Sequence, residues 1–200
     1  MDALLALLIG LGLAAACGFR IFVPLLVMAL AARAGHLTLD PSFAWAASDT
    51  AIAALAAATL LEIGGYYVPW IDNLLDTVAT PAAIVAGTIA TAAMVTHMDP
   101  LMQWATAIIA GGTVAGSVQL ATVVTRGASS VTTAGMANPI VSTLEAIGSV
   151  LLAILAVLVP VLACVLVIAI IGTSIWQIRR ILLRRRAANV DTPPVTPPAA

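Results

Sequence analysis

The sequence has no lysine and few charged residues of any kind. Charged side chains make up 8% of its 200 positions, whereas a soluble domain has about 25%. All eight basic residues are arginines, and the formal net charge of −1 gives no hint of nucleic-acid binding, which would need a basic patch. We therefore expect neither a soluble globular fold nor a nucleic-acid partner.

Cysteine, histidine and catalytic motifs are equally scarce. The two cysteines, Cys17 and Cys164, lie in apolar runs without a metal-ligating neighbour, which is typical of small packing residues. The two histidines, His36 and His97, fall in predicted outer connections and are far apart in sequence. The chain has no nucleophile elbow, Walker loop, HExxH or CxxC motif, so nothing argues for an enzyme, and no cofactor is predicted.

Apolar residues dominate what is present. They make up 62% of the chain, with a mean hydropathy of +1.12, and one soluble core could not bury that much apolar surface. We predict an all-α fold, a polytopic transmembrane helical bundle whose solvent is the lipid bilayer. The apolar N-terminus lacks the basic residues of a signal peptide, because its only charge before Gly18 is Asp2, so we expect it to stay in the mature protein.

The apolar runs predict about six membrane spans, because a helix needs about 20 apolar residues to cross a bilayer core. In chain order the predicted spans are Ala3–Phe19, Ser48–Tyr67, Pro81–Thr96, Leu101–Thr125, Ile140–Val159 and Val161–Ile178. Broken or re-entrant segments are predicted near residues 18–24 and 126–139, where Gly, Pro and polar residues interrupt the apolar runs. Pro160 divides the last run, and one long kinked helix over 140–178 is the alternative.

Domain organisation and orientation follow from the ends of the chain. Residues 1–186 are predicted to form a single transmembrane domain with two halves, 1–100 and 101–186, and the Pro-rich tail 187–200 is predicted to be disordered. The arginine cluster Arg179–Arg186 places its end of the chain in the cytoplasm, and six spans then place the N-terminus there too. We expect a multi-pass protein of the cell inner membrane.

The two halves share features that favour a 3+3 inverted repeat. Each half has an apolar helix that ends in an arginine, Arg20 or Arg126, and a later helix with a Leu-Glu step at Glu62 or Glu145. By these boundaries the arginines fall on opposite sides of the membrane, as inversion requires, whereas both glutamates fall nearer the inner face. An inverted repeat and an unrepeated bundle therefore both stay open.

Charged residues inside the spans predict a site, since a charge at the bilayer centre costs at least about 2.5–3.5 kcal/mol. We expect Arg126 to pair with Glu62 or Glu145. Such a pair is either a structural contact between helices or part of a site for an ion or an anionic substrate, and a third alternative is that Arg126 reaches the lipid headgroups. The candidate substrate-binding residues are Arg20, Glu62, Arg126, Thr132, Thr133, Asn138 and Glu145.

Two further patterns predict ligand sites. Asn138 and Pro139 suit the N-cap and the first position of a helix, whose free N–H groups would favour an anion, although a plain capped loop fits the same pattern. Asp72 and Asp76 are four residues apart, so on a helix their carboxylates share a face and could bind a metal ion. The alternative for these aspartates is a solvated amphipathic linker beside an aromatic interfacial belt that includes Tyr66.

Three separated motifs resemble a bacterial integral-membrane family that is catalogued only as domain of unknown function 4126. They are GFRIFVPLL at 18–26, EIGGYYVPWIDNLLDTVATPAA at 62–83 and RGASSVTTAGMANPIVSTLE at 126–145, and the resemblance covers the chain up to the Pro-rich tail. Many relatives read E-x-x-x-D-K-x-P-x-x-D in the second motif, where this chain has Tyr66 and Tyr67 in place of the Asp-Lys pair. The resemblance supports the topology and the choice of residues, and it brings no established activity.

Three functional hypotheses follow. The first is a small inner-membrane transporter or channel that could form a homodimer, with its site between broken helices near Arg20, Arg126, Asn138 and Glu145. Its substrate would be a small anion, a proton-coupled solute or a lipid headgroup. The second hypothesis is a non-transporting scaffold, in which the polar residues only hold helices together. The third is a membrane enzyme that acts on lipid and holds a divalent metal ion on Asp72 and Asp76.

Overall fold

The chain is helical throughout the part that the structure describes. The computed structural model describes residues 2–96, 98–133 and 136–190, and these ranges contain helices and turns but no strand. In chain order the α-helices are α1 (Ala3–Cys17), α2 (Phe22–Arg33), α3 (Asp49–Gly65), α4 (Pro69–Met94), α5 (Pro100–Thr106), α6 (Thr113–Thr133), α7 (Asn138–Leu158) and α8 (Pro160–Val190). A 3₁₀-helix precedes α3 at Pro41–Ala47, and a π-helix joins α5 to α6 at Ala107–Gly112. The all-α prediction is confirmed.

Several helices have the length and composition of membrane spans. In the described ranges, three segments are long and apolar enough to cross a bilayer: Leu74–Met94, Pro100–Thr133 and Asn138–Leu158. The 3₁₀-helix and α3 would make a fourth if this pair, bent by 67°, counts as one span. Of the other apolar helices, α1 has 15 residues, which rise about 22 Å of the roughly 30 Å that a span must cover. The chain therefore has the helices of a membrane protein, but fewer full-length spans than the six predicted.

The first predicted break is confirmed, and the second begins later than predicted. Gly18–Ile21 separate α1 from α2, inside the predicted segment 18–24. In the predicted segment 126–139, however, α6 stays helical through Thr133, so Arg126 lies on a continuous helix. The polar residues there do not end the helix, because their hydroxyls donate back to carbonyl oxygens of the preceding turn, as Thr132 Oγ1 does to the oxygen of Ala128 at 2.8 Å.

The last apolar run forms two helices, as predicted. Val159 leaves the helical conformation, with φ −139° and ψ 70°, and Pro160 begins α8. Ser174 of α8 and Glu145 of α7 border the same cavity, so α8 folds back along α7. The alternative of one kinked helix is therefore wrong.

Two other boundaries differ from the prediction. Helix α4 begins at Pro69, twelve residues before the predicted span, and Pro81 lies inside it, so Asp72 and Asp76 lie on its first turns. Helix α8 extends to Val190, so residues 187–190 of the predicted tail are helical. The rest of that tail and His97 lie outside the described residues.

Small residues let the central helices pack closely, and this packing fixes the positions of the helices relative to one another. Helix α1 contacts α2, α4, α6, α7 and α8. A Cβ atom on Gly12 would lie 2.6 Å from Cβ of Ala156, and one on Gly87 would lie 2.4 Å from Cβ of Ala115. Close backbone approach through Gly and Ala is how membrane helices gain packing contacts. Ser149 of α7 also donates a hydrogen bond to the carbonyl oxygen of Ala16 at 3.0 Å, so the C-terminal end of α1 is held against α7.

Candidate functional site

Among the described residues, six charged side chains gather where α3, α4, α6 and α7 meet the turn between α1 and α2. We call this group the charge cluster, and its members are Arg20, Glu62, Asp72, Asp76, Arg126 and Glu145. All are buried except Asp76, whose side chain is 29% exposed. Burial of charge on this scale is rare unless the groups are paired or have a function.

Arg126 of α6 holds three helices together. Its Nη2 donates to Oε2 of Glu145 at 2.5 Å, and its Nε lies 3.1 Å from the same oxygen. Its Nη1 donates to Oδ1 of Asp72 at 2.7 Å and lies 3.4 Å from Oδ1 of Asp76. Charge-assisted hydrogen bonds of this kind are about twice as strong as neutral ones. One guanidinium group therefore connects α6 to both α4 and α7.

Arg20 is as deeply buried as Arg126 but less completely paired. Its Nη2 donates to the carbonyl oxygen of Ser142 at 2.8 Å and to the Ser142 hydroxyl at 2.5 Å. The same nitrogen lies 3.5 Å from Oε2 of Glu145. Among the described residues, Nε of Arg20 has no hydrogen-bond partner, although the residue is only 2% exposed. Arg20 therefore keeps a donor that a ligand could use.

Tyr66 lies between α3 and α4 and contacts both arginines. The Cζ atom of Arg20 is 3.9 Å from the centre of the Tyr66 ring, and that of Arg126 is 4.3 Å from it. Both guanidinium groups are thus within cation–π distance of one buried ring. The sequence interpretation assigned Tyr66 to an interfacial belt, which is wrong because the residue is 5% exposed. Its position four residues after Glu62, on the same helical face, was the signal that could have found it.

Glu62 caps a helix instead of pairing with Arg126. Its Oε1 accepts a hydrogen bond from the backbone N–H of Ile21 at 2.7 Å, and its Oε2 accepts one from Phe22 at 3.0 Å. These N–H groups belong to the start of α2, which carries a partial positive charge. Of the described α3 residues, only Thr59 and Glu62 are buried, so this cap is a main attachment of α3 to the bundle.

The other predicted binding residues lie outside the charge cluster. Thr132 and Thr133 donate hydrogen bonds to carbonyl oxygens within α6. Asn138 is the first residue of α7, and its Nδ2 lies 3.2 Å from the Ser130 hydroxyl. The capping prediction is wrong, since Ala137 and not Asn138 holds the N-cap position of α7. Any role of these three residues in binding a substrate stays a prediction.

Asp72 and Asp76 share a helical face as predicted, but that face is turned to Arg126. The linker interpretation is wrong for Asp72, which is 5% exposed and lies on α4. The described residues contain no group of three or more Asp, Glu, His or Cys side chains that could hold a metal ion. The metal site on the two aspartates stays a prediction, with the arginine as their observed partner.

Carboxylates outnumber arginines in the charge cluster. Four carboxylates and two guanidinium groups give a formal net charge of −2. The start of α2 offsets part of the charge of Glu62. The group with the weakest pairing is Asp76, at 3.4 Å from Arg126, and it is also the most exposed. The excess of negative charge makes the cluster able to accept a proton or a cation.

A cavity of about 340 Å³ adjoins Glu145, between α6, α7 and α8. Apolar and hydroxyl-bearing side chains line it together with that carboxylate: Phe19, Thr122, Thr125, Val141, Ile170 and Ser174. The cavity therefore borders the charge cluster on the side of α6 that faces α8.

A family model described as "Domain of unknown function (DUF4126)" matches residues 7–180. The chain belongs to this family. The match contains every member of the charge cluster, since these lie between Arg20 and Glu145. No curated protein and no solved structure matches the chain. The function of this DUF4126 protein must therefore be argued from the geometry of its own residues.

Proposed function

We propose that this DUF4126 protein is a small membrane transporter or channel in which the charge cluster binds and releases protons as a small solute moves. The single observation that carries this proposal is the excess of carboxylates in a buried cluster. Arg126 and Glu145, its central pair, lie on two of the candidate membrane spans.

Leaving one partner of a buried ion pair uncompensated costs roughly 3–5 kcal/mol. The start of α2 offsets part of this cost for Glu62, and partial exposure offsets part of it for Asp76, but the cluster still has more carboxylates than arginines. Each surplus charge instead calls for a mobile counter-charge, a proton or a cation. Asp76, half-buried and weakly paired, is the member through which a proton would enter.

The solute would occupy the cavity beside Glu145. Its volume of about 340 Å³ falls at the lower end of the range of about 300–1,000 Å³ typical of small-molecule sites. Three hydroxyl groups, on Thr122, Thr125 and Ser174, line it, and each could accept a hydrogen bond from a solute, since each donates its own proton to a backbone carbonyl. The solute class includes a small anion, a proton-coupled solute and a lipid headgroup.

We also propose that the protein lies in the cell inner membrane with six spans and with both termini in the cytoplasm. We further propose that its two halves form a 3+3 inverted repeat. The repeat is supported by the composition of the charge cluster, because each half supplies one arginine and one glutamate: Arg20 with Glu62, and Arg126 with Glu145.

A reporter that is active only in the cytoplasm, fused to the C-terminus, tests the orientation. Light scattering of the purified protein tests for a homodimer.

Proton movement into liposomes tests the function directly. Purified protein would be reconstituted in a chloride medium around a pH-sensitive dye, with potassium and valinomycin on both sides to prevent a voltage. We expect an imposed pH gradient to decay faster than in empty liposomes. Glu145→Gln and Asp76→Asn should slow the decay, whereas Arg33→Gln should not, because Arg33 forms an exposed pair with Asp49 far from the cluster.

A non-transporting scaffold is the second candidate, and the near-complete pairing of Arg126 favours it. In that case wild-type and empty liposomes would lose the pH gradient at the same rate. Glu145→Gln would then lower only the yield of folded protein. This pair of results would overturn the transport proposal.

A further inference from the structure

We propose that the start of α2, together with Arg20, forms a binding site for a small monovalent anion such as chloride, which Glu62 occupies as a tethered substitute and leaves when it is protonated. This inference rests on the proton-linked transport proposed above and names the ion that moves with the proton. The start of α2 is then a second position for that ion, next to the cavity beside Glu145, which Phe19 lines.

The first observation is the position of the Glu62 carboxylate. Its two oxygens accept the N–H groups of Ile21 and Phe22 at 2.7 and 3.0 Å, although Glu62 is about 40 residues away on another helix. Free N–H groups at a helix start form a ready anion site. The anion found there is thus a side chain that belongs to a separate element, not a cap supplied by the local sequence.

The second observation is the unpaired donor of Arg20. Among the described residues, Nε of this arginine has no hydrogen-bond partner, and the side chain is 1% exposed. Arg20 directly precedes Ile21 in the chain, and its positive charge acts on the Glu62 carboxylate, although the guanidinium group pairs with Glu145. Leaving a buried donor unpaired costs about 1–3 kcal/mol, and an anion that contacts both the helix start and Arg20 would remove that cost.

The third observation concerns α3, which carries Glu62. This helix packs against α2, the helix whose start Glu62 caps. Of the described α3 residues, only Thr59 and Glu62 are buried, and Thr59 Oγ1 has no partner among the described residues. Withdrawal of the Glu62 side chain would therefore break its two hydrogen bonds to α2, while α3 stays packed on α2.

The exchange conserves charge. A protonated Glu62 with a bound monovalent anion carries the same net charge as the carboxylate alone, so one proton enters with each anion. Among the described residues, the ionisable groups that interact with Glu62 are Arg20, Cys17 at the end of α1, and Tyr66 at the end of α3. Arg20 is the cation that would hold either anion.

Chloride efflux from proteoliposomes tests the inference. Vesicles with chloride inside and gluconate outside, and with potassium and valinomycin on both sides to carry compensating charge, would be followed with a chloride electrode and an internal pH dye at the same time. We expect efflux from the wild type to quicken as the pH falls from neutral to mildly acidic, and internal pH to rise as protons leave with chloride. Glu62→Gln should release chloride at all these pH values without proton movement, and Arg33→Gln should behave as wild type.

The result that would overturn the inference differs from the one that would overturn transport itself. If an imposed pH gradient decays at the same raised rate in chloride and in gluconate, protons move without the anion, so the inference is wrong and the proposed function stands. If the gradient decays no faster than in empty liposomes in either medium, the proposed function fails.

A binding measurement decides the matter if Glu62→Gln does not fold. Chloride should raise the unfolding temperature of the wild type relative to gluconate at mildly acidic pH, and should have little effect at neutral pH, where Glu62 holds the site. An unfolding temperature that is the same in both salts at acidic pH would contradict the site.

Discussion

The small-residue packing around α1 and the charge cluster hold the same helices together by opposite means. In the packing between α4 and the π-helix, a Cβ atom on Gly111 would lie 2.2 Å from Oγ1 of Thr91, so a single arrangement fits. In the charge cluster, contacts of 2.5 to 3.5 Å join charged groups. Under the proposed function, the steric region is the fixed frame, and the charged region is the part that exchanges partners when a proton binds.

Arg20 and Glu62 differ in how firmly each is attached to that frame. Arg20 follows α1, whose backbone is bonded by Thr91 Oγ1 to the oxygen of Gly10 at 3.2 Å and by Ser149 to the oxygen of Ala16. Glu62 lies on α3, which has two buried residues among those described and packs against α2. Under the proposed function, Arg20 is the fixed cation and the Glu62 side chain is the carboxylate that moves.

Substitution of Arg126 should give the largest loss of stability, because it removes the central ion pairs of the charged region. In Arg126→Ala, Asp72 and Glu145 lose their main partner while buried, which costs roughly 3–5 kcal/mol. We expect a sharp drop in monodisperse protein after detergent extraction and a lower unfolding temperature.

The matched control for Arg126→Ala is Arg33→Ala, which breaks the exposed pair with Asp49 and an exposed hydrogen bond to the carbonyl oxygen of Ala47, and which should unfold like the wild type. Adding Glu145→Ala to Arg126→Ala should recover part of the loss, because one stranded carboxylate is then gone. Equal unfolding temperatures for Arg126→Ala and the wild type would mean that the pairing contributes no stability.

A single methyl group tests the steric region. In Gly87→Ala the new Cβ would lie 2.4 Å from Cβ of Ala115 and 3.0 Å from the oxygen of Gly111, and overpacking of this kind costs about 1–3 kcal/mol. We expect a lower unfolding temperature for Gly87→Ala. Gly148→Ala is the control, since a Cβ there meets no atom of the described residues within 4 Å and Ala favours a helix. If the two variants unfold alike, close packing is not what holds α4 in place.

Local signals in the sequence were sufficient for much of the fold. The predicted break after α1 and the division at Pro160 were correct because Gly and Pro act on their own neighbours. The extents of α4 and α6 were missed because polar residues such as Asp72 resemble a loop until a distant partner buries them. For Asp72 that partner is Arg126, 54 residues away, and no local pattern reports it.

Members of the charge cluster were predictable where the cost of burying that residue type in lipid is known. The cost of a lone charge in lipid pointed to Arg126 and Glu145, and their pairing is observed. The partners of Glu62 could not be predicted, because they are backbone N–H groups, which every residue except proline carries. Tyr66 was missed for a related reason, since its role depends on two arginines from other elements.

Substitution of Tyr66, whose ring contacts both arginines, should have the smallest effect on stability. It tests how the arginines of the charged region are held together. Tyr66→Phe keeps a ring for Arg20 and Arg126 at 3.9 and 4.3 Å, so we expect little change in the unfolding temperature. Tyr66→Leu fills similar space without the ring and should cost about 0.5–2 kcal/mol, because two like charges lose the group that attracts both. Equal unfolding temperatures for the two variants would show that Tyr66 acts by bulk alone, and the charge cluster would then depend on its carboxylates to hold the arginines together.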